Sequence, residues 1–325
     1  MAGKVLVCGG AGYIGSHMCR RLAQAGYEPV AFDNLSTGNR WAVRWGPLVE
    51  GELLEPAQLR DLFTEHRFAA VMHFAAKALV GESMQDPGLY FRNNVSGTLN
   101  LLWAMRDAGV DRLVFSSTCA VYGDPQSLPI DERHPTQPVN PYGWSKLQAE
   151  RVIQEYCRAH GLRAIALRYF NVAGASDTGE IGEAHEPETH LVPNVIKAAL
   201  DAERGPVQLF GSDFATPDGT CIRDYVHVED LCEAHLLAMQ RLELHGGFSA
   251  FNLGTGTGYS VLQILTACRA IHDGRPEARH VPRRAGDPSA LVASFAAARE
   301  QLGWEPRRTL DDIIASASAW HRRAG

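Results

Sequence analysis

The chain has 325 residues, a formal net charge of −6 and a sequence pI of about 6.1, with 45% hydrophobic and 21% charged residues. That is the balance of an ordinary globular protein, long enough for one large or two modest domains, and no basic block marks it as a nucleic-acid binder. The cysteines (Cys8, Cys19, Cys119, Cys157, Cys221, Cys232 and Cys268) are odd in number and form no C-x-x-C, so neither a disulfide framework nor a zinc site is expected and reduced thiols are. The chain enters a strand without a charged and apolar leader, and no apolar run suffices to span a bilayer. The expectation is a cytoplasmic protein.

Lys4–Cys8 is a short apolar run of the kind buried in parallel sheets. Gly9-Gly10-Ala11-Gly12-Tyr13-Ile14-Gly15 follows at once, and an amphipathic pattern predicts a helix from Tyr13 to about Ala25. Strand, glycine turn and helix make a phosphate site: glycines let the backbone approach a pyrophosphate, and the helix start offers free N–H groups. The spacing is G-x-x-G-x-x-G, which differs from the common G-x-G-x-x-G. A strand around Val30–Phe32 ends at Asp33, where a carboxylate suits both ribose hydroxyls of NAD and repels a 2′-phosphate. Asn34, Ser36 and Gly38 make a polar loop beside it. Arg40 and Arg44 lie further on and leave NADP open.

The alternation continues with a helix over Pro56–Glu65 and a strand over Ala69–Phe74, whose small Ala75 and Ala76 would let a cofactor lie close. His73 reads as structural or catalytic, the first being the commoner case. One long helix is predicted over Pro87–Ala108, carrying Asn93 and Asn94, then a strand over Arg112–Ser116 with Ser116-Ser117-Thr118 at its carboxyl end. Ligands of open α/β sheets bind beyond such ends, although loop hydroxyls also cap turns. A proline-rich loop runs from Gly123 to Pro141. Tyr142 and Lys146 then stand one turn apart at the start of a helix. An ammonium beside a phenol favours phenolate, which makes the pair a candidate general base; the other reading is an ordinary surface helix.

Leu162–Arg168 completes a doubly wound parallel sheet over about residues 1–171. From there the rhythm changes, and 172–325 reads mainly as a smaller substrate domain, with a segment of about 222–245 returning to the first. Gly174 to Glu188 is polar and acidic without period. Helices are predicted over Leu191–Asp201, Asp230–Arg241, Ser260–His272 and Leu310–Trp320, and extended segments over Val207–Phe210, Arg223–His227, Ala250–Leu253 and His280–Arg284.

Taken together, GGAGYIGSH, FDNLSTG, HFAAKALVGES, FSSTCAVYGD, NPYGWSK, LRYFNVAGA, ETHLVP, DGTCIRDYVHVEDL, FNLGTGTGYSV and RRAGD resemble the extended short-chain dehydrogenase/reductase family, and within it the UDP-hexose 4-epimerase branch, over nearly the whole chain. The resemblance implies tightly bound NAD and interconversion of UDP-glucose and UDP-galactose through a 4-keto sugar. Tyr142 would be the base, Lys146 would lower its pKa and Thr118 would bridge the proton. Besides the glycine turn and Asp33, it implies cofactor contacts from Asn34, Glu52, Leu53, Phe74, Ala75, Ala76, Asn94, Ser116 and Tyr169. It implies UDP-sugar contacts from Asn171, His190, Leu191, Gln208, Phe210, Arg223, Tyr225, Arg284, Asp287 and Leu291. The family commonly dimerises through the helices matching 87–108 and 142–160, so a homodimer is implied.

Two positions depart from the family: Glu52 stands where Asp is frequent, and Lys77 comes one position early, which leaves its role open. Related dehydratases need an Asp-Glu pair after the threonine, and Cys119 and Ala120 occupy those positions. A redox-sensing binding protein on the same fold is the alternative of another class, but the Tyr/Lys pair is intact. Among enzymes the alternative is a UDP-pentose 4-epimerase. Leu291 replaces the bulky tyrosine of members restricted to glucose and galactose, which suggests activity on N-acetylated UDP-sugars as well.

Overall fold

The apolar run Lys4–Cys8 is an interior strand of a seven-stranded, wholly parallel sheet, next to its central strand Phe68–His73. Across the sheet the order is Phe248–Leu253, Arg163–Tyr169, Arg112–Thr118, Phe68–His73, Lys4–Cys8, Glu28–Asp33 and Leu48–Glu50. The structure is a computed structural model that describes residues 3–283 and 287–324. Helices cover both faces, which is why the inner strands are apolar without alternation. On one face Met18 and Leu22 of helix Tyr13–Gln24 pack with Leu231, Cys232 and Met239 of helix Val228–Arg241. On the other, Leu59 and Leu62 of helix Pro56–Glu65 join Leu101 and Met105 of helix Gly97–Asp107, and Ala149 and Ile153 of helix Pro141–His160. This is a Rossmann-like architecture. The chain builds outward from Lys4–Cys8 in one direction and then, from Phe68–His73, in the other. The crevice of such a sheet lies at this reversal.

A second, smaller group of elements stands beyond the carboxyl ends of the strands. Ile222–His227 pairs antiparallel with Gly258–Ser260 and parallel with Ala290–Leu291 and Asn171–Ala173. Val207–Phe210 pairs with Ala278–Val281. Val195 and Ile196 of helix Leu191–Leu200, Ile264 and Leu265 of helix Val261–Ala270, and Ile313 and Ile314 of helix Leu310–Ala324 form its core. Among the described residues, no helix is long and apolar enough to cross a membrane.

Two local readings change. The sequence predicts one helix over 87–108; the structure has Pro87–Tyr90, a wider π turn over Phe91–Ser96, and then Gly97–Asp107, with a further helix over Val80–Gln85. The wider turn accompanies interior anchors: Tyr90 is fully buried, its hydroxyl 2.7 Å from the Leu79 main-chain oxygen, and Asn94 is held from three sides. Second, strand 222–227 lies in the small sheet. The strand that returns to the large sheet is Phe248–Leu253, beside Arg163–Tyr169, while helix Val228–Arg241 packs on helix Tyr13–Gln24.

Candidate active site

The two groups of elements enclose a cleft of about 1290 Å³. That exceeds the usual single small-molecule pocket of about 300–1,000 Å³ and leaves room for two ligands. Its floor is the glycine turn. A Cβ on Gly9 would stand 2.7 Å from the Ala75 nitrogen, and one on Gly15 would stand 2.0 Å from the Gly9 oxygen, so neither position tolerates a side chain. Gly9 has φ +79°, the left-handed region that glycine enters without penalty. Gly12 caps helix Tyr13–Gln24, whose first N–H groups face the cleft region.

Asp33 closes this end. It is buried, its Oδ2 accepts from the Ala11 N–H at 2.9 Å and its Oδ1 from the Leu35 N–H at 2.8 Å. Burial raises its pKa against these two donors. Each oxygen keeps a lone pair for a further donor. Asn34 donates to Glu52 at 2.7 Å, and Glu52 Oε1 accepts from the Leu54 N–H at 3.2 Å. Asn34, Glu52, Leu53, Phe74, Ala75, Ala76, Ser116 and Tyr169 all line the cleft. Asn94 does not. It stands behind the wall, with its amide bonded to Lys77 N (2.9 Å), Lys77 O (3.0 Å) and Ser145 Oγ (2.9 Å), while Asn93 and Lys77 reach the lining. Its place is therefore to fix the wall segment that carries Lys77. His73 is also interior, its Nε2 3.0 Å from Thr98 Oγ1, and it does not line the cleft.

Tyr142, Lys146 and Thr118 all line the cleft, and Tyr142 and Thr118 share a hydrogen bond. Asn140 accepts from the Gly143 N–H at 2.8 Å and Pro141 takes the first turn, so the helix starts where Tyr142 faces inward. Burial pushes the Tyr142 phenol up to about 12, and its hydrogen bond with Thr118 opposes the rise. Burial pulls Lys146 down to about 7, with Glu150 opposing. Lys146 Nζ donates to the Ser116 main-chain oxygen at 2.7 Å and lies 4.9 Å from the centre of the Phe115 ring. The Ser116 hydroxyl meets the Tyr169 hydroxyl. Under this floor Glu150 takes hydrogen bonds from Ser117 (2.5 Å) and from Arg168 (2.9 and 2.5 Å), and Arg168 reaches Tyr122 at 3.1 Å. This buried network fixes the helix against the strands; nothing in the sequence singled out Glu150 or Arg168.

The far half of the cleft is lined by Asn171, His190, Leu191, Gln208, Phe210, Arg223, Tyr225, Asp287 and Leu291. Arg223 is oriented by the main-chain oxygens of Ile222 (2.8 Å) and Pro288 (2.9 Å) and lies 3.5 Å from Asp287. Leu291 pairs in register with Arg223. Arg284 lies outside the described residues. His190 is not alone: its Nδ1 is 2.8 Å from Glu183 and 3.0 Å from Glu188, and His185 Nδ1 is 3.2 Å from Glu183. These three neighbours come from the aperiodic segment 174–188, where only the pattern E-x-H-x-x-E-x-H hinted at a grouping.

Comparison with known proteins matches residues 5–254 to the family model "NAD dependent epimerase/dehydratase family". The UDP-glucose 4-epimerase of Rhizobium leguminosarum bv. trifolii is 50% identical over 325 residues, 100% of this chain and 99% of that one. The crystal structure of UDP-glucose 4-epimerase from Brucella ovis in complex with NAD superposes with a TM-score of 0.94 at 50% identity, covering 98% of both chains. The UDP-Glc/GlcNAc 4-epimerase from Campylobacter jejuni gives a TM-score of 0.85 at 37% identity, covering 99% of this chain and 100% of that one.

Proposed function

The chain belongs to the NAD dependent epimerase/dehydratase family, and we propose that it interconverts UDP-glucose and UDP-galactose by inverting C4 of the sugar through a 4-keto state. It is an epimerase, and its cofactor is NAD. The glycine cradle that any Cβ would fill, with a buried carboxylate beyond it, fits that group. Gly9, Gly12, Tyr13, Ile14 and Gly15 would hold the pyrophosphate, Asp33 and Asn34 the adenosine ribose, Glu52 and Leu53 the adenine side. Phe74, Ala75, Ala76, Ser116 and Tyr169 would border the nicotinamide half. Bound there, NAD supplies a hydride acceptor and donor.

The chain's own residues move the proton. Tyr142 takes it from the 4-hydroxyl, with Thr118 bridging the two oxygens, and returns it after the sugar has turned over. A phenol at about 12 is a weak base at neutral pH. Positive charge beside it lowers that value, and Lys146 is the cation placed on the same helix face. Arg223 offers its guanidinium to the diphosphate, a pairing suited to its planar fork. Tyr225, Asn171, Leu191, Gln208, Phe210 and Asp287 border the nucleotide. We assign NAD to the part built from residues 1–171 and the UDP-sugar mainly to 172–325.

The observation that carries this reading is a single cleft shared by the glycine cradle, Asp33, the Thr118–Tyr142–Lys146 group and Arg223. The test is purified protein with no added cofactor, given UDP-galactose and then a panel of UDP-sugars, with product analysis. UDP-glucose should appear and reach the same ratio from either side. NAD-loaded protein that converts no UDP-hexose would overturn the assignment.

A second substrate class follows from Leu291, which lines the cleft beside Arg223 where a larger ring would take volume from an acetamido group. The reading extends the activity to UDP-N-acetylglucosamine and UDP-N-acetylgalactosamine, the former class being in the name of the Campylobacter jejuni relative. We also propose a homodimer through helices Gly97–Asp107 and Pro141–His160, which carry the exposed Trp103 and Trp144.

A further inference from the structure

We infer that Glu183, His185, Glu188 and His190 form a binding site for one divalent transition-metal cation of the zinc class in the wall of the cleft. Each offers one ligand atom, and the four atoms lie within 4.8 Å of one another. Two imidazole nitrogens and two carboxylate oxygens are a donor set that zinc accepts. With bonds of about 2.0–2.1 Å, a tetrahedral site has ligand-to-ligand edges of about 3.3 Å. The edges here are 2.8 and 3.0 Å from His190 Nδ1 to Glu183 and Glu188, and 3.2 and 4.0 Å from His185 Nδ1 to the same carboxylates. Shifts of a few tenths of an ångström bring most of them to that value.

The second observation is unspent donor capacity at the centre. The Glu188 side chain is only 4% exposed, yet its Oε2 accepts no hydrogen bond, and the Lys197 ammonium stands 3.7 Å away. His185 Nδ1 is also buried without a hydrogen bond. The Glu183 side chain is likewise 4% exposed. Two buried carboxylates facing two neutral imidazoles carry a charge of about −2, of which the Lys197 ammonium offsets one, so net negative charge remains to draw a cation to the site. The ligands are also held by their main chain. Asn39 donates to the Ala184 oxygen at 3.1 Å, Trp320 to the Glu183 oxygen at 3.2 Å and Asn194 to the Glu188 oxygen at 3.2 Å. A site whose backbone is fixed beforehand loses less entropy on binding.

The cation ties segment 174–190 into the cleft wall and sets the direction of the half-exposed His190 ring. This does not depend on the proposed reaction. The test uses the full chain, treated with chelator and titrated with Co²⁺ alone. One Co²⁺ per chain should bind, with the visible bands of a four-coordinate nitrogen and oxygen site and no thiolate band, and Zn²⁺ should displace it. Glu188→Gln and the more exposed His185→Gln should each weaken binding more than about tenfold while circular dichroism is unchanged. No uptake, a thiolate band, or uptake undiminished in whichever variant folds overturns the site.

Discussion

Lys146 donates its ammonium to the main-chain oxygen of Ser116 at 2.7 Å, so the cation is tied to the carboxyl end of the strand that also carries Thr118. It is 97% buried. A lysine held this way is costly to the fold and useful to the site.

The first prediction follows from that cost. Burial lowers Lys146 to about 7, below the unfolded value near 10.4. Between these two values the unfolded chain binds a proton that the folded chain lacks, so the stability contributed at this site rises with pH. Below about pH 7 the full penalty of a buried charge is present. Lys146→Met removes it. In apoprotein the Tm of the variant minus that of the wild type should be largest near pH 6 and shrink steadily toward pH 10. A difference that is flat with pH would place the lysine's charge outside this account.

Tyr142→Phe should lose about 10²–10⁴-fold in kcat while retaining fold and NAD, because a positioned acid–base group contributes about that factor. Turnover, circular dichroism and the nucleotide released on denaturation are the three readouts. Near-normal kcat in a loaded, folded variant would remove the phenol from the proton path.

The cofactor preference rests on Asp33. A carboxylate and a 2′-phosphate about 5 Å apart at an effective dielectric near 20 repel by about 3 kcal/mol. NADP should therefore bind stripped protein roughly a hundredfold more weakly than NAD. Asp33→Ser should narrow the gap, though at some cost to the loop, since the Ala11 and Leu35 N–H groups lose their acceptor. Equal affinities in the wild type would contradict the role.

Leu291→Tyr should depress turnover of UDP-N-acetylglucosamine well beyond that of UDP-galactose, since overfilling a packed space costs about 1–3 kcal/mol. Leu291→Ser should shift the ratio of kcat/KM the other way. A ratio that stays constant across the three proteins shows that Leu291 does not set the sugar preference.

Much of this architecture is legible in local sequence. Lys4–Cys8 and Pro56–Glu65 form where their periodicity predicts, because burial on one face or two is a property of the segment itself. The turn at 91–96 is not, since one extra residue per turn leaves the apolar pattern nearly intact and its anchors are Asn94, Lys77 and Ser145, far apart in sequence. Strands of two or three residues such as Ala290–Leu291 exist only through their partners. For the cleft, most of the candidate residues stand in recognisable sequence motifs, while the groups packed behind them do not. Glu150 and Arg168 sit on a helix and a strand that read as ordinary amphipathic and buried segments, and Glu183 is assembled with His190 only when segment 174–188 folds back.

The late return of Phe248–Leu253 has a consequence for synthesis. Until that strand emerges, Arg163–Tyr169 is the open edge of a large parallel sheet, with its backbone unpaired on one side. About eighty residues must be made in the interval, and distant pairing of this kind is slow and prone to association while it waits. A chain cut near residue 171 should therefore aggregate even though it contains the whole glycine turn, and nascent chains should gain solubility only once residue 253 has left the ribosome.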